Sequence, residues 1–302
     1  MSAASGSGGF LGLPPRHATA ARSRFVVLPG GYEETTTYVK GTSRGPEAIV
    51  AASQQVELYD EELSEEPYKA GVHTVAAFPF PKKDPEGAMR AMDRAVSPWL
   101  AKGRRVVMLG GEHSITLGAV RAAKRKYKDL SVLHIDAHAD LRQSYHGSIH
   151  NHACIGARIV DLGCPLVQVG IRNLTPPEHR MILDGQGGKL KTYFDVDLPR
   201  PRPWSEIVGH LSPHVYFTVD LDGISPAIMP AVGTPEPGGL DWEDLLGLMR
   251  ALFASREVVA MDVMELCPIP GQILSDFVAA KLIYKAMGYW GRADARARAG
   301  TK

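Results

Sequence analysis

An α/β fold, with a mostly parallel sheet covered by helices on both faces, is predicted by two features of the sequence. Short apolar runs alternate with helical patterns almost throughout the 302 residues, and no internal repeat or long linker interrupts them. Alternation of this kind is how a parallel sheet is wound, each strand returning through a crossover helix. A third feature agrees. Ionisable residues recur just after the apolar runs, and ligands of open α/β sheets bind beyond the carboxyl ends of the strands.

Taken in order, strands are predicted at 25–28, 73–78, 105–109, 131–136, 166–171, 190–194, 215–219 and 257–263. Helices are predicted at 46–58, 85–101, 114–127, 204–211, 241–255 and 275–287. Gly45-Pro46 opens the first helix, because a proline at the first helical position loses no needed donor. Asp84-Pro85 opens the second in the same way, with the aspartate as cap. Asp241 and Ser275 are the predicted caps of the last two, each with acids in the turn that follows. A chain of this length can bury a large core as one domain or two. Without a linker, a single domain is expected over 25–290, with a flexible arm at 1–24 and a C-terminal tail at 291–302.

Composition excludes several classes. The chain is 44% apolar and 22% charged with a net charge of +1, so no basic excess points to nucleic acid. No apolar stretch approaches the roughly 18 residues of a membrane-spanning helix. Cys154, Cys164 and Cys267 form an odd set without paired spacing, which fits a reducing compartment, and the cytoplasm is the expected location. Residues 1–24 are rich in Ala, Ser, Gly and Arg and lack acids, a trait of organelle transit peptides, but a plain arm is the expected reading.

Four predicted strands end in chemistry. After 105–109 comes Gly110-Gly111-Glu112-His113-Ser114, after 131–135 comes Asp136-Ala137-His138-Ala139-Asp140, after 215–219 comes Asp220-Leu221-Asp222-Gly223, and after 257–263 comes Glu265. Extended backbone alternates its side chains with period two, so Asp136, His138 and Asp140 project to one side, as do Asp220 and Asp222. Singly, a histidine after a glycine pair is ordinarily a satisfied or surface residue, and Asp-x-Asp before glycine is ordinarily a turn. Together, His113, Asp136, His138, Asp140, Asp220 and Asp222 read as six metal ligands, four carboxylates and two imidazoles. A catalytic zinc site normally takes three protein ligands and a water. Six ligands without cysteine suit two harder ions, and Mn²⁺ fits a mixed carboxylate–imidazole shell better than Mg²⁺ does. Two such ions about 3.5–4 Å apart can lower the pKa of a water they share.

These motifs, with the run Thr218-Val-Asp-Leu-Asp-Gly-Ile-Ser-Pro226 and Gly233-Thr-Pro-Glu-Pro-Gly-Gly239, resemble the ureohydrolases, the binuclear manganese enzymes that include arginase and agmatinase. The resemblance runs from about Leu28 to about Tyr289, and Thr35-Thr-Thr-Tyr38 with Gly45-Pro-Glu-Ala-Ile49 is similar to an agmatinase-type opening. It implies an arginase-like three-layer α/β/α sandwich, two Mn²⁺ per subunit, and a homo-oligomer, trimer or hexamer. One ion would take His113, Asp136, Asp140 and Asp220, the other Asp136, His138, Asp220 and Asp222. Asp136 is then a bridge and counts among the catalytic residues. Glu265 matches the family glutamate that pairs with the substrate guanidinium, a fork that orients as well as attracts. By alignment His152 matches the active-site histidine that carries a proton to the leaving amine. His150 is the alternative carrier, and His150 and Asn151 are expected to contact substrate. Glu112 stands where many members have aspartate, and little is expected to change because the metal-binding residue is the adjacent His113. His134 shares a face with Asp136 and is expected to support it, and Cys154 is expected to be a buried small hydrophobe.

The loop Gln143-Ser-Tyr-His-Gly-Ser-Ile-His-Asn151 differs from the polar segment that holds an amino-acid head group in arginase-type members, and Glu236 is similar to agmatinases. The substrate is therefore expected to be a small guanidino compound, agmatine first, giving putrescine and urea. Guanidinobutyrate, guanidinopropionate and arginine are the alternatives within the class. Two-metal phosphoesterases also place carboxylates and histidines at strand ends, but their Asn-His-Glu element is missing here. An inactive, metal-stabilised scaffold would have lost Glu265 or the proton carrier, and both are present.

Overall fold

The computed structural model describes residues 8–299; the start of the expected arm, 1–7, and the end of the expected tail, 300–302, lie outside the described residues. Among the described residues one sheet has eight strands: β1 (Phe25–Gly30), β2 (Val72–Thr74), β3 (Arg105–Gly110), β4 (Ser131–Ile135), β5 (Leu166–Ile171), β6 (Leu190–Phe194), β7 (His214–Asp220) and β8 (Glu257–Met264). The order across the sheet is β2-β1-β3-β8-β7-β4-β5-β6, and every pairing is parallel. The strands that end in the candidate ligands, β3, β8, β7 and β4, are therefore the four adjacent central ones.

Around the sheet lie α1 (Pro15–Ala18), α2 (Gly45–Ser53), α3 (Pro85–Ala101), α4 (Thr116–Lys126), α5 (Ile155–Asp161), α6 (Pro176–Asp184), α7 (Trp204–Gly209), α8 (Trp242–Ser255) and α9 (Leu274–Ala299). Side-chain alternation divides the core into two. Val27, Val107, Leu133 and Phe217 pack on the side of α2, α7, α8 and α9, while Val26, Val106, Val132 and Tyr216 pack on the side of α3, α4 and α5. This is the three-layer arrangement. Both faces of the central strands are covered, which is why those strands read as nearly continuous apolar runs.

All eight predicted strands are present, with shifted ends. The run predicted at 73–78 pairs only over Val72–Thr74; Val75, Phe78 and Phe80 are apolar because they pack against the core, not because they extend the ladder. Asp84 caps α3 through Gly87 N–H at 2.8 Å, and Asp241 caps α8 in a reciprocal box with Asp244. Ser275 caps nothing: it lies inside α9, fully buried, and its hydroxyl accepts the Ala231 N–H. Helices α1, α5 and α6 were not predicted, although Thr175 and Glu178 form a capping box that opens α6.

Both terminal expectations need correction. The described part of the arm is packed: Phe10 is 1% exposed, its N–H donates to Thr74 Oγ1 and the Leu11 N–H donates to Ser53 Oγ, both at 2.8 Å. Nor does the chain break at 290. Helix α9 continues past it, anchored by Trp290 Nε1–H on Val258 O and by Asp294 against Arg105 and Arg24. A flexible arm and a charged tail look alike in composition to segments whose few apolar or paired side chains are buried.

Truncating a fully buried phenylalanine costs about 3–5 kcal/mol. Phe10→Ala is expected to lower the free energy of denaturant unfolding by that order, whereas a free arm would leave it within about 0.5 kcal/mol.

Candidate active site

The site lies beyond the C-terminal ends of β3, β8, β7 and β4. Beyond β3 the backbone of Gly111 runs against the loop after β1, and a Cβ there would stand 1.9 Å from Tyr32 O, so only glycine fits. Gly223, after β7, lies as tightly on Asp136, with a hypothetical Cβ 2.7 Å from the Asp136 N. Two left-handed residues aim side chains inward, Asp140 at φ 52° and Glu265 at φ 65°. Neither is glycine, and such backbone costs on the order of 1–3 kcal/mol per residue, held by its surroundings.

All six predicted ligands converge here. His113 Nδ1 is 3.0 Å from Asp220 Oδ2, 3.3 Å from Asp136 Oδ2 and 3.9 Å from Asp140 Oδ2. His138 Nδ1 is 2.9 Å from Asp222 Oδ2 and 3.6 Å from Asp136 Oδ1. Ligand atoms of His113, His134, Asp136 and Asp140 lie within 4.8 Å of one another, as do those of Asp136, His138 and Asp222. Asp136 belongs to both groups, and Asp220 joins through its contact with His113.

Hydrogen bonds decide which atoms stay free. Asp136 Oδ1 accepts the His138 N–H, Asp220 Oδ1 accepts the Asp222 N–H and Asp222 Oδ1 accepts the Ala137 N–H, at 2.6, 3.0 and 3.1 Å. In each the second oxygen faces the cluster. His113 Nε2 is 2.8 Å from Thr218 Oγ1. With the imidazole proton on Nε2, shared with that hydroxyl, Nδ1 is left with a lone pair. Nδ1 is buried among three carboxylates yet makes no hydrogen bond. A buried lone pair with no donor is what a cation would complete, so the residues fit metal. His134 sits where its support of Asp136 was expected. Its Nε2 is 2.7 Å from Asp136 Oδ2, and its Nδ1 is 3.2 Å from Gln168 Nε2, which leaves neither nitrogen free as a ligand.

Charge in this space is unbalanced. Burial, reinforced by Asp136 for Asp140 and by Asp222 and Asp136 for Asp220, pushes both carboxyls well above the usual carboxylate range. Burial also raises Glu265, helped by Asp220 and Glu112. Burial alone would lower His138, but the charges of Asp222 and Asp136 win and push it up to about 12. Protons are being held where cations could sit.

The pocket wall contains Thr36–Val39, His138, Asp140, Arg142, Tyr145, His152, Asn173, Thr234, Asp220, Asp222 and Glu265. Glu265 Oε1 accepts the His113 N–H at 2.6 Å, which fixes the carboxyl beside the ligand cluster. His152 opens a short turn before α5, and burial, then the nearby His138 and His113, lowers its pKa to about 4. Its resting imidazole is neutral. His150 and Asn151 do not line the pocket. His150 Nε2 faces Glu86 of α3 at 2.9 Å, and Asn151 Oδ1 caps the turn by accepting the Ala153 N–H. Cys154 is fully buried, as expected. The supporting roles of Thr218, Gln168 and Thr35 were missed from sequence, although Thr35 and Thr218 stand in the sequence motifs and Thr218 lies two positions before Asp220 on the same strand face.

A sequence model described as the arginase family matches residues 23–288. An N(1)-aminopropylagmatine ureohydrolase from Synechocystis sp. is 40% identical over 282 residues, 91% of this chain and 91% of the relative. An agmatinase from Bacillus anthracis is 30% identical over 256 residues, 84% of this chain and 87% of the relative. The crystal structure of agmatine ureohydrolase of Thermoplasma volcanium superposes with a TM-score of 0.82 at 31% identity, covering 91% of this chain and 92% of that one.

The pKa shifts predict how ion removal acts. A histidine raised from 6.5 to about 12 stabilises the fold fully below pH 6.5, and that contribution drains away as pH rises towards 12. Chelated protein is therefore expected to lose thermal stability between pH 6.5 and 9, and Mn²⁺ to flatten that slope. Equal slopes in calorimetry with and without Mn²⁺ would contradict a cation at this cluster.

Proposed function

The chain belongs to the arginase family, and from that premise we propose that this hydrolase cleaves the guanidino group of an agmatine-type amine to urea and the free amine, with two Mn²⁺ per subunit. The observation that carries this reading is the meeting of the six-residue cluster with Glu265 and His152 in one pocket. His113, Asp136, Asp140 and Asp220 would hold one ion, and Asp136, His138, Asp220 and Asp222 the other. When bound, the ions supply Lewis acidity that makes water nucleophilic near neutral pH.

The rest is done by the chain. A guanidinium carbon is a poor electrophile because its charge is delocalised, so the group must be held close and correctly turned. Glu265, pinned at Oε1 by the His113 N–H, offers its other oxygen to the guanidinium N–H groups. His152, neutral at rest, takes up a proton and delivers it to the amine nitrogen as the carbon–nitrogen bond breaks. Water and the guanidinium thereby become urea and an ammonium, with every proton accounted for.

Within the substrate class, relatives named for N(1)-aminopropylagmatine, at 40% and 38% identity, stand above those named agmatinase, at 30% and 29%. N(1)-aminopropylagmatine, whose cleavage would release spermidine, is therefore placed ahead of the agmatine expected from sequence. A second reading has one observation in its favour. Arg142 lines the pocket, stacked 4.1 Å above the Tyr145 ring, and its guanidinium suits a substrate carboxylate such as that of guanidinobutyrate. We place the protein in the cytoplasm on its three free, buried cysteines, and as a homo-oligomer, trimer or hexamer, by its family. Among the described residues no helix is long and apolar enough to cross a membrane.

Urea release by Mn²⁺-loaded protein is expected to be fastest with N(1)-aminopropylagmatine, then agmatine, with arginine and guanidinobutyrate far behind. Faster turnover of guanidinobutyrate would instead establish the Arg142 reading, and no urea from any of the four would refute the class. His152→Ala is expected to lower kcat by about 10²–10⁴-fold with metal content unchanged, whereas His150→Ala stays within a few-fold of the parent.

A further inference from the structure

Glu112 was expected to be incidental, and the structure gives it four donors. Its Oε2 accepts the Glu34 and Thr35 N–H groups, both at 2.5 Å, and its Oε1 accepts the Thr35 hydroxyl at 2.7 Å and the Ser114 hydroxyl. The carboxyl is fully buried, so it acts as a fixed acceptor at the end of β3. Thr35 continues the line. Its Oγ1 accepts the His152 backbone N–H at 3.1 Å and lies 3.1 Å from His152 Nδ1.

A hydroxyl has one proton to give. Spent on Glu112, it leaves Thr35 Oγ1 only as an acceptor, so His152 Nδ1 must carry the imidazole proton and Nε2 must carry the lone pair. We propose that Thr35, itself held by Glu112, is a positioning residue that fixes the tautomer and orientation of His152, so that Nε2 is the atom that takes and passes the proton. Thr35 is absent from the pocket wall, whereas its neighbours Thr36, Thr37, Tyr38 and Val39 belong to it. It therefore acts through His152 rather than on substrate.

This inference rests on the proposed hydrolysis, and the test separates the two. Thr35→Val keeps the shape and the backbone N–H bond to Glu112 but removes the hydroxyl, while Thr35→Ser restores it. With the substrate the parent turns over best, Thr35→Val is expected to lose about 10–100-fold in kcat with KM within about threefold, and Thr35→Ser to stay within about threefold of the parent in kcat. Bound metal should be unchanged in both, and because Thr35→Val also gives up the hydroxyl bonds to Glu112 and the His152 N–H, its kinetics are read well below its melting temperature. Independently of activity, ¹⁵N-histidine spectra of the metal-free protein, with His152 assigned from His152→Asn, should show the Nδ1–H form in the parent and in Thr35→Ser, and a mixture in Thr35→Val. An Nε2–H form in the parent, an unchanged spectrum in Thr35→Val, or a loss confined to KM would overturn the assignment. A parent that releases no urea fails the hydrolysis reading, while the spectra still decide the role of Thr35.

Discussion

Mutual repulsion among buried carboxylates is the constraint around which this structure is organised. Asp136, Asp140, Asp220, Asp222 and Glu265 are buried together at the ends of four central strands, with Glu112 just behind. Taking one such charge out of water is costly, and gathering several is affordable only with compensating cations. Within the protein the compensation is protonation, visible in carboxyls pushed up and in a histidine raised to about 12. A fold selected for stability alone would not collect these groups. The same imbalance suits a metal cation and a guanidinium alike, so one electrostatic feature fits both the proposed cofactor and the proposed substrate.

Holding that arrangement open falls to the backbone and to neutral hydrogen bonds. Backbone N–H groups anchor one oxygen on each of Asp136, Asp220, Asp222 and Glu265, leaving the other directed inward. Left-handed backbone at Asp140 and Glu265, and side-chain-free contact at Gly111 and Gly223, let strand ends approach until the ligands meet. Behind His134, the Gln168 amide donates to Nδ1 and settles which nitrogen bears the proton. Each device is small, and together they keep charged groups from relaxing away from one another.

Much of this was legible in the chain. Residue type and spacing singled out Asp136, His138 and Asp140, and Asp220 with Asp222, but period two is not what joins them: β4 ends at Ile135, Asp140 is left-handed at φ 52°, and Asp222 lies in a 3-10 turn at Leu221–Gly223. Apolar runs located all eight strands, since the inner ones are buried on both faces and must be apolar along their length, while the edge strands β2 and β6 are only partly buried. Other features left no local trace. His150 and Asn151 lie beside His152 in sequence and were expected in the pocket, but one faces Glu86 and the other caps a turn. Phe10 and Leu11 sit in a stretch composed like a flexible arm and are nevertheless core residues.

By itself, then, the sequence determined the fold class and picked out the six ligand candidates, because apolar runs and residue type are local properties. Strand order was decided only in three dimensions. That β3, β8, β7 and β4 are neighbours follows from how crossovers pack, and it alone turns four separate strand ends into one site. The partners that hold the histidines were likewise tertiary. Thr35 and Glu112 are 77 positions apart, and Thr35 and His152 are 117 apart, distances over which no residue pattern reports a hydrogen bond.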